Sequence, residues 1–254
     1  MRIATKARGV GLVLALTLAA GAGAGQLSLR VEGITRESSA ALRSGQVTVT
    51  YQLVNRSEKT ITAWYFGCIS VSQLGQSSLT YNAADAYYGL GSKEPGAGSN
   101  LLTPGATIAK KVVFQLDQDD GPYAARSCAP TLVVFEDGTY EGDSQLATAV
   151  FTARAADALE VWRAHAELSA AVKNGSPLLA AVASLAAAQA LAPPVPGSTG
   201  LVLARLRTFE DLVSQGVRAA DSNELLAELQ GLYENAMKNL PKDWQVQVAK
   251  ELNR

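Results

Sequence analysis

Covalent chemistry in a protein needs a nucleophile with a base, a metal, or converging carboxylates, and this chain supplies little of each. Its single histidine, His165, would have to carry any Ser-His-Asp or Cys-His arrangement. It falls mid-helix among Trp162, Ala166 and Leu168, and no G-x-S-x-G is present, so a side chain on a helix face is the expectation. One histidine and two distant cysteines do not make zinc-ligand spacing. Asp117, Asp119 and Asp120 stand before Gly121 in the manner of a calcium loop. The twelfth position needs a glutamate and holds Cys128 instead, so a solvated loop is expected. Glu136, Asp137, Glu141 and Asp143 cluster around a hairpin tip. Carboxylates do acid–base work when they converge in a cleft, and a hairpin tip is convex. No catalytic residue, metal ligand or cofactor is assigned from these residues.

The two cysteines, Cys68 and Cys128, are expected to form a disulfide. That expectation rests on export. Arg2, Lys6 and Arg8 make a basic start, Val10 to Ala20 is apolar, and Ala22-Gly23-Ala24 is a small-residue cleavage pattern, so residues 1–24 read as a signal peptide cut before Gly25. The apolar core is about half the roughly 20 residues of a spanning helix, so no membrane span is expected after cleavage. With no cysteine near the cut, a lipid anchor is not expected either. The predicted location is periplasmic or extracellular, where paired thiols oxidise. Cleavage removes Arg2, Lys6 and Arg8 and no acidic residue, so the net charge goes from −1 to −4. Nothing in that balance suggests a nucleic-acid partner, which would want a basic patch.

The elements that would position any site divide into two halves. From Gly45 to Val71, Val47, Val49, Tyr51 and Leu53 alternate with polar residues, and after a polar turn, Asn55 to Thr60, a β-branched and aromatic run follows from Ile61. These two are expected as neighbouring antiparallel strands in the middle of a β-sandwich. Further strands are predicted from Gln26 to Ile34, from Ile108 to Leu116 and from Thr131 to Glu136, where Leu132 to Phe135 are apolar on both faces. Asp117 to Arg126 reads as an acidic connection, and Asp137-Gly138 as a hairpin turn returning through Thr139 and Tyr140. The strand holding Cys68 and the strand from Thr131, which Cys128 just precedes, are expected to be antiparallel neighbours. A bridge between the two cysteines closes a loop whose entropy is worth roughly 4 kcal/mol.

Near Asp143 the period shifts from 2 to 3.6. Asp143 or Ser144 caps a helix running to about Lys173, where Asn174-Gly175 stops it. Ser176-Pro177 opens a second helix ending near Leu191, and residues 192–200 are a Pro-rich break. A third helix is predicted from Leu201 to about Ala219. Asp221 and Glu224 form a capping box for a fourth, whose stripe is Leu225, Leu229, Leu232, Ala236 and Leu240, and Pro241 starts a short last one. A stripe that wide must be buried, most simply in a small antiparallel bundle. The fold class is α+β by segregated halves: a β-sandwich over residues 25–142 and a helical region over 143–254.

From Ser72 to Thr103 no long periodic segment appears, although Ser77 to Asn82 could be a short strand. Loops this long are usually either functional or mobile, and Tyr81, Tyr87 and Tyr88 here are candidates for partner contact. The sequons Asn55-Arg56-Ser57 and Asn174-Gly175-Ser176 are common by chance, and the bacterial character of the leader argues against their use.

Val47 to Asn55, the turn Leu102-Thr103-Pro104-Gly105 and Val133 to Asp143 resemble segments of bacterial secreted immunoglobulin-like modules. The resemblance spans about Gln26 to Gly142 and leaves out the helices. It implies a fold, and roles in binding, adhesion or assembly, but transfers no functional residue. The expectation is an exported, non-enzymatic module that contacts another protein or a cell-envelope component. The alternatives are a peptidase inhibitor presenting residues 72–103 and a hydrolase using converged carboxylates.

Overall fold

The architecture comes from a computed structural model that describes residues 27–37, 46–72, 77–85, 101–115, 123–191 and 197–253. The leader 1–24, the acidic residues Asp117, Asp119 and Asp120, and Tyr87 and Tyr88 lie outside the described residues. The strands are β1 (Leu29–Glu37), β2 (Gln46–Asn55), β3 (Ile61–Ser72), β4 (Ser77–Asp85), β5 (Thr107–Gln115), β6 (Tyr123–Phe135) and β7 (Tyr140–Gly142). The helices are α1 (Ser144–Lys173), α2 (Leu178–Leu191), α3 (Leu201–Ser214), α4 (Ser222–Lys238) and α5 (Lys242–Leu252). The chain is therefore α+β, with antiparallel sheets in the first half and helices in the second.

The strands form two sheets, ordered β1-β2-β5 and β4-β3-β6-β7. This corrects one expectation: β2 and β3 are consecutive but not hydrogen-bonded neighbours, because the turn after Asn55 carries the chain from one sheet to the other. They meet through side chains instead. Tyr51 of β2 abuts Phe66 of β3 edge-on, with ring centroids 4.7 Å apart. Leu29, Leu53, Trp64, Phe66, Leu102, Val133 and Phe135 complete this first core.

β6 begins at Tyr123 rather than Thr131, so Cys128 sits inside the strand and part of the expected acidic connection is β-structure. Cys68 and Cys128 are direct cross-strand partners and are disulfide-bonded, within one sheet. Pro130 has no N–H for the ladder, and the β3–β6 register shifts where it pairs, between Tyr65 and Phe66. β4 likewise extends beyond the short strand expected, running on to Asp85.

The four-stranded sheet is buried on both faces. Trp64, Phe66, Val133 and Phe135 point to the first core, whereas Ala63, Leu132 and Val134 belong to a second core made with the helices. This accounts for the unbroken apolar run Leu132 to Phe135, since a strand covered on both sides has no polar face to keep. A register shift between Ile61 and Ala63 reverses the alternation, returning Ile61 to the first core and turning Thr62 inward among the helices.

The Asp143 carboxylate caps α1 by accepting from the amides of Gln145 and Leu146. Gly175, at φ +81°, ends α1, with Gly175 and Ser176 amides donating to the Val172 and Ala171 carbonyls. The same motif at Gly216 stops α3 at Ser214, short of the Ala219 expected from sequence; Gly216 and Val217 donate to Val213 and Leu212. Asp221 caps α4, and the stripe Leu225, Leu229, Leu232, Ala236 and Leu240 is fully buried. α1 touches all the other helices and β6. The helices thus form a third layer, packed through the second core on the face of the four-stranded sheet opposite the first.

Candidate functional site

The acidic residues around the hairpin have separate duties. Asp137 accepts from Lys59 Nζ at 2.7 Å and from the amide and hydroxyl of Thr139. Burial pushes its carboxyl up, but those hydrogen bonds outweigh burial and hold it at about 2. The Glu141 carboxylate is gripped at 2.7 Å by both the amide and the hydroxyl of Ser28, tying β7 to the start of β1. Asp143 is the helix cap described above. They do not converge. His165 stacks at 6.3 Å on Trp162, which in turn leans on Tyr233 at 4.8 Å, all on the helical layer. Asn55 of the first sequon is fully buried. Its amide donates to the carbonyls of Lys59 and Leu102, and its oxygen accepts from the amide and hydroxyl of Ser57, so every polar position is occupied.

Tyr81 lies in β4 opposite Gly67. The chain leaves that strand at Asp85 and is described again from Leu101, and both points of attachment are held. Asp85 receives a two-pronged ion pair from Arg154 of α1, Nε to Oδ2 at 2.9 Å and Nη2 to Oδ1 at 2.7 Å. Arg154 is wholly buried. Its remaining donors reach the Thr62 hydroxyl and the Asn239 carbonyl at the end of α4, each at 3.1 Å. A planar fork matches a carboxylate in two places at once, which a lysine cannot do. At the other attachment Leu102 is fully buried, exchanges two backbone hydrogen bonds with Ile61 (2.8 and 3.1 Å), and accepts from Asn55.

Arg154 escaped the sequence reading, although a signal was present. It lies four residues after Val150, four before Ala158 and seven before Val161, in the middle of the apolar stripe of α1. A charge there must find a partner. Its partners are 69, 85 and 92 residues away in the chain, so pattern alone could not name them.

Two further features lie in the helical layer. A groove of about 360 Å³ between α1 and α2 is lined largely by alanines, with Glu167, Ser176 and Ser184 at its polar positions. Two to three turns earlier on α1, Asp157 and Glu160 are buried against Ser198 and Thr199, just before α3. Among the described residues no helix is long and apolar enough to cross a membrane.

Comparison with known proteins gives no matching family model and no matching curated protein. Two solved structures resemble part of the chain. One, a Northeast Structural Genomics Consortium target designated SoR45, is 18% identical, covers 44% of this chain and 78% of its own, and has a TM-score of 0.28. The other, a hypothetical protein of Peptoclostridium difficile 630, is 12% identical, covers 49% and 90%, and has a TM-score of 0.29. Likeness that slight carries no argument about fold or function.

Proposed function

We propose that this protein is exported and acts without catalysis, as an immunoglobulin-like sandwich whose segment between β4 and β5 contacts another protein or an envelope component. One observation carries the reading: Asp85 and Leu102, described on either side of the segment bearing Tyr87 and Tyr88, are both fixed in the fold. Asp85 is clamped by a buried guanidinium and Leu102 is sealed in the core. A rigid frame lowers the entropy lost when a loop is ordered on a partner, and tyrosine gives large contact area for few rotatable bonds. The immunoglobulin-like reading is supported by two facing antiparallel sheets and by β4 lying beside β3, where variable-type domains place an extra edge strand. The export reading is supported by the leader pattern and agrees with the disulfide.

The test is photo-crosslinking in intact cells with the probe at position 87 or 88, and at Leu191, which is 87% exposed, as the control. Discrete adducts from 87 and 88 that are missing from 191 are expected. Identical patterns from all three positions overturn the reading. A segment fixed at both ends also suits a peptidase inhibitor, and a protease panel separates the two: inhibition with slow cleavage between residues 86 and 101 selects the inhibitor.

A further inference from the structure

The buried carboxylates of α1 pose a donor-counting problem. The Asp157 side chain is fully buried and Glu160 is 7% exposed. Asp157 Oδ1 accepts from the Thr199 amide at 2.9 Å, and Oδ2 from the Thr199 hydroxyl at 2.9 Å. Ser198 Oγ lies 3.0 Å from Asp157 Oδ1 and 2.7 Å from Glu160 Oε2, and it also accepts from the Gly200 amide at 3.1 Å. A serine hydroxyl has one proton. With both carboxylates ionised, one of those two short contacts sets lone pair against lone pair, between two like charges removed from water.

No cation resolves it. Among the described residues neither carboxylate has an ion pair. Arg154, one turn earlier on α1, is committed to Asp85, and Arg163 is exposed. α2 contains no titratable side chain. Arg205 of α3 is itself engaged and makes none of the hydrogen bonds to these two carboxylates given above, and Glu228 of α4 pairs with Arg218 at 3.0 Å. The 197–200 turn adds only hydroxyls and amides.

We propose that Asp157 and Glu160 share one proton through Ser198, so that the turn at residues 197–200 and the start of α3 are held to α1 by a proton-linked latch. The proton sits on Asp157 Oδ1 and is donated to Ser198 Oγ, whose own hydroxyl proton goes to Glu160 Oε2. Every donor then has an acceptor, and Oδ1 keeps a lone pair for the Thr199 amide. The environment agrees: burial raises the Asp157 carboxyl above its usual range despite the hydrogen bonds from Thr199 and Ser198, and the Glu160 charge adds to the rise. A carboxyl raised on folding gives stability that is complete below its unfolded value and is lost as pH climbs through the folded one. The latch is therefore tight in acid and loosens toward alkali. Glu160→Gln should free it from pH, because the new amide can donate to Ser198 and let Ser198 donate to an ionised Asp157.

Two measurements on the full chain test this. Infrared difference spectra of the unsubstituted protein at neutral pH should show the carbonyl stretch of one buried protonated carboxylic acid, absent from Glu160→Gln. Amide exchange across residues 198–206, corrected for intrinsic rates, should show opening that grows about tenfold for each unit by which the folded value exceeds the unfolded one. In Glu160→Gln it should change less than about twofold over the same pH range. If the unsubstituted protein shows no protonated-acid band, both groups are ionised and the proposal fails; Glu160→Gln opening more than the parent at every pH overturns it as well. The infrared result on the unsubstituted chain decides the matter even if the variant does not fold.

Discussion

Replacing Arg154 by methionine should cost as much as truncating a large side chain in the helical core. Methionine fills much of the same volume but leaves the Asp85 carboxylate, 11% exposed, without its two charged donors. It also strips a donor from the Asn239 carbonyl and from the Thr62 hydroxyl. Removing one partner of a buried ion pair typically costs about 3–5 kcal/mol. For a chain of this size that lowers the melting temperature by roughly 6–20 °C. Arg154→Lys keeps the charge but loses the fork, at a cost of about 1.5–3 kcal/mol. The double variant Arg154→Met/Asp85→Leu is the informative one. With no carboxylate left to strand, it should be more stable than Arg154→Met alone, which a double-mutant cycle in urea will measure. In a Trp162→Phe/Trp244→Phe background Trp64 fluorescence reports the sandwich core, and far-ultraviolet circular dichroism the helices, so one titration follows both layers. A loss under about 1 kcal/mol for Arg154→Met, or strictly additive substitutions, would refute the reasoning.

Other expectations follow from local geometry. Gly138→Ala should destabilise far more than Gly175→Ala: both have φ near +80°, but a Cβ at 138 meets Leu240 and Pro241 backbone atoms at 2.6 Å whereas the one at 175 meets open space. Thermal melts of the pair isolate the docking of the hairpin on the α4–α5 junction. Asp137 is held at about 2 by Lys59 and Thr139, below its unfolded value, so it contributes stability that is present above about pH 4 and fades as pH falls toward 2. Both members of that pair are about half exposed, so Asp137→Asn should flatten the acid limb by less than about 1 kcal/mol. Cys68→Ser/Cys128→Ser should cost up to roughly 4 kcal/mol in urea while leaving the β3–β6 register intact by amide exchange.

The parts legible in the sequence are those governed by neighbours in the chain. The caps at Asp143 and Asp221, the stop at Asn174-Gly175, the turn at Asp137-Gly138 and the stripe on α4 each depend on a handful of adjacent residues. The pairing of Cys68 with Cys128 was legible for a different reason, since two cysteines expected in an oxidising compartment leave one possible pair within the chain. What pattern could not supply is which sheet a strand joins. Val47 to Leu53 alternates identically whether its neighbour is β3 or β5, and the choice rests on the turn at Asn55. Nor could period alone show that Leu132 to Phe135 is apolar on both faces because α1 lies behind it. The buried polar groups were hidden for the same reason. Arg154, Asp157 and Glu160 read as ordinary helix polarity until Asp85, Ser198 and Thr199 are brought beside them.

The central claim is that the helices are a layer of the same folded unit as the sheets, covering Ala63, Leu132 and Val134 and gripping β4 through Arg154. The direct measurement is urea unfolding of a chain that ends at Gly142. It should fail to fold cooperatively, because one face of the four-stranded sheet is left bare and Asp85 has lost its guanidinium. A sharp transition from that shortened chain, with Trp64 as protected as in the full protein, would contradict the account.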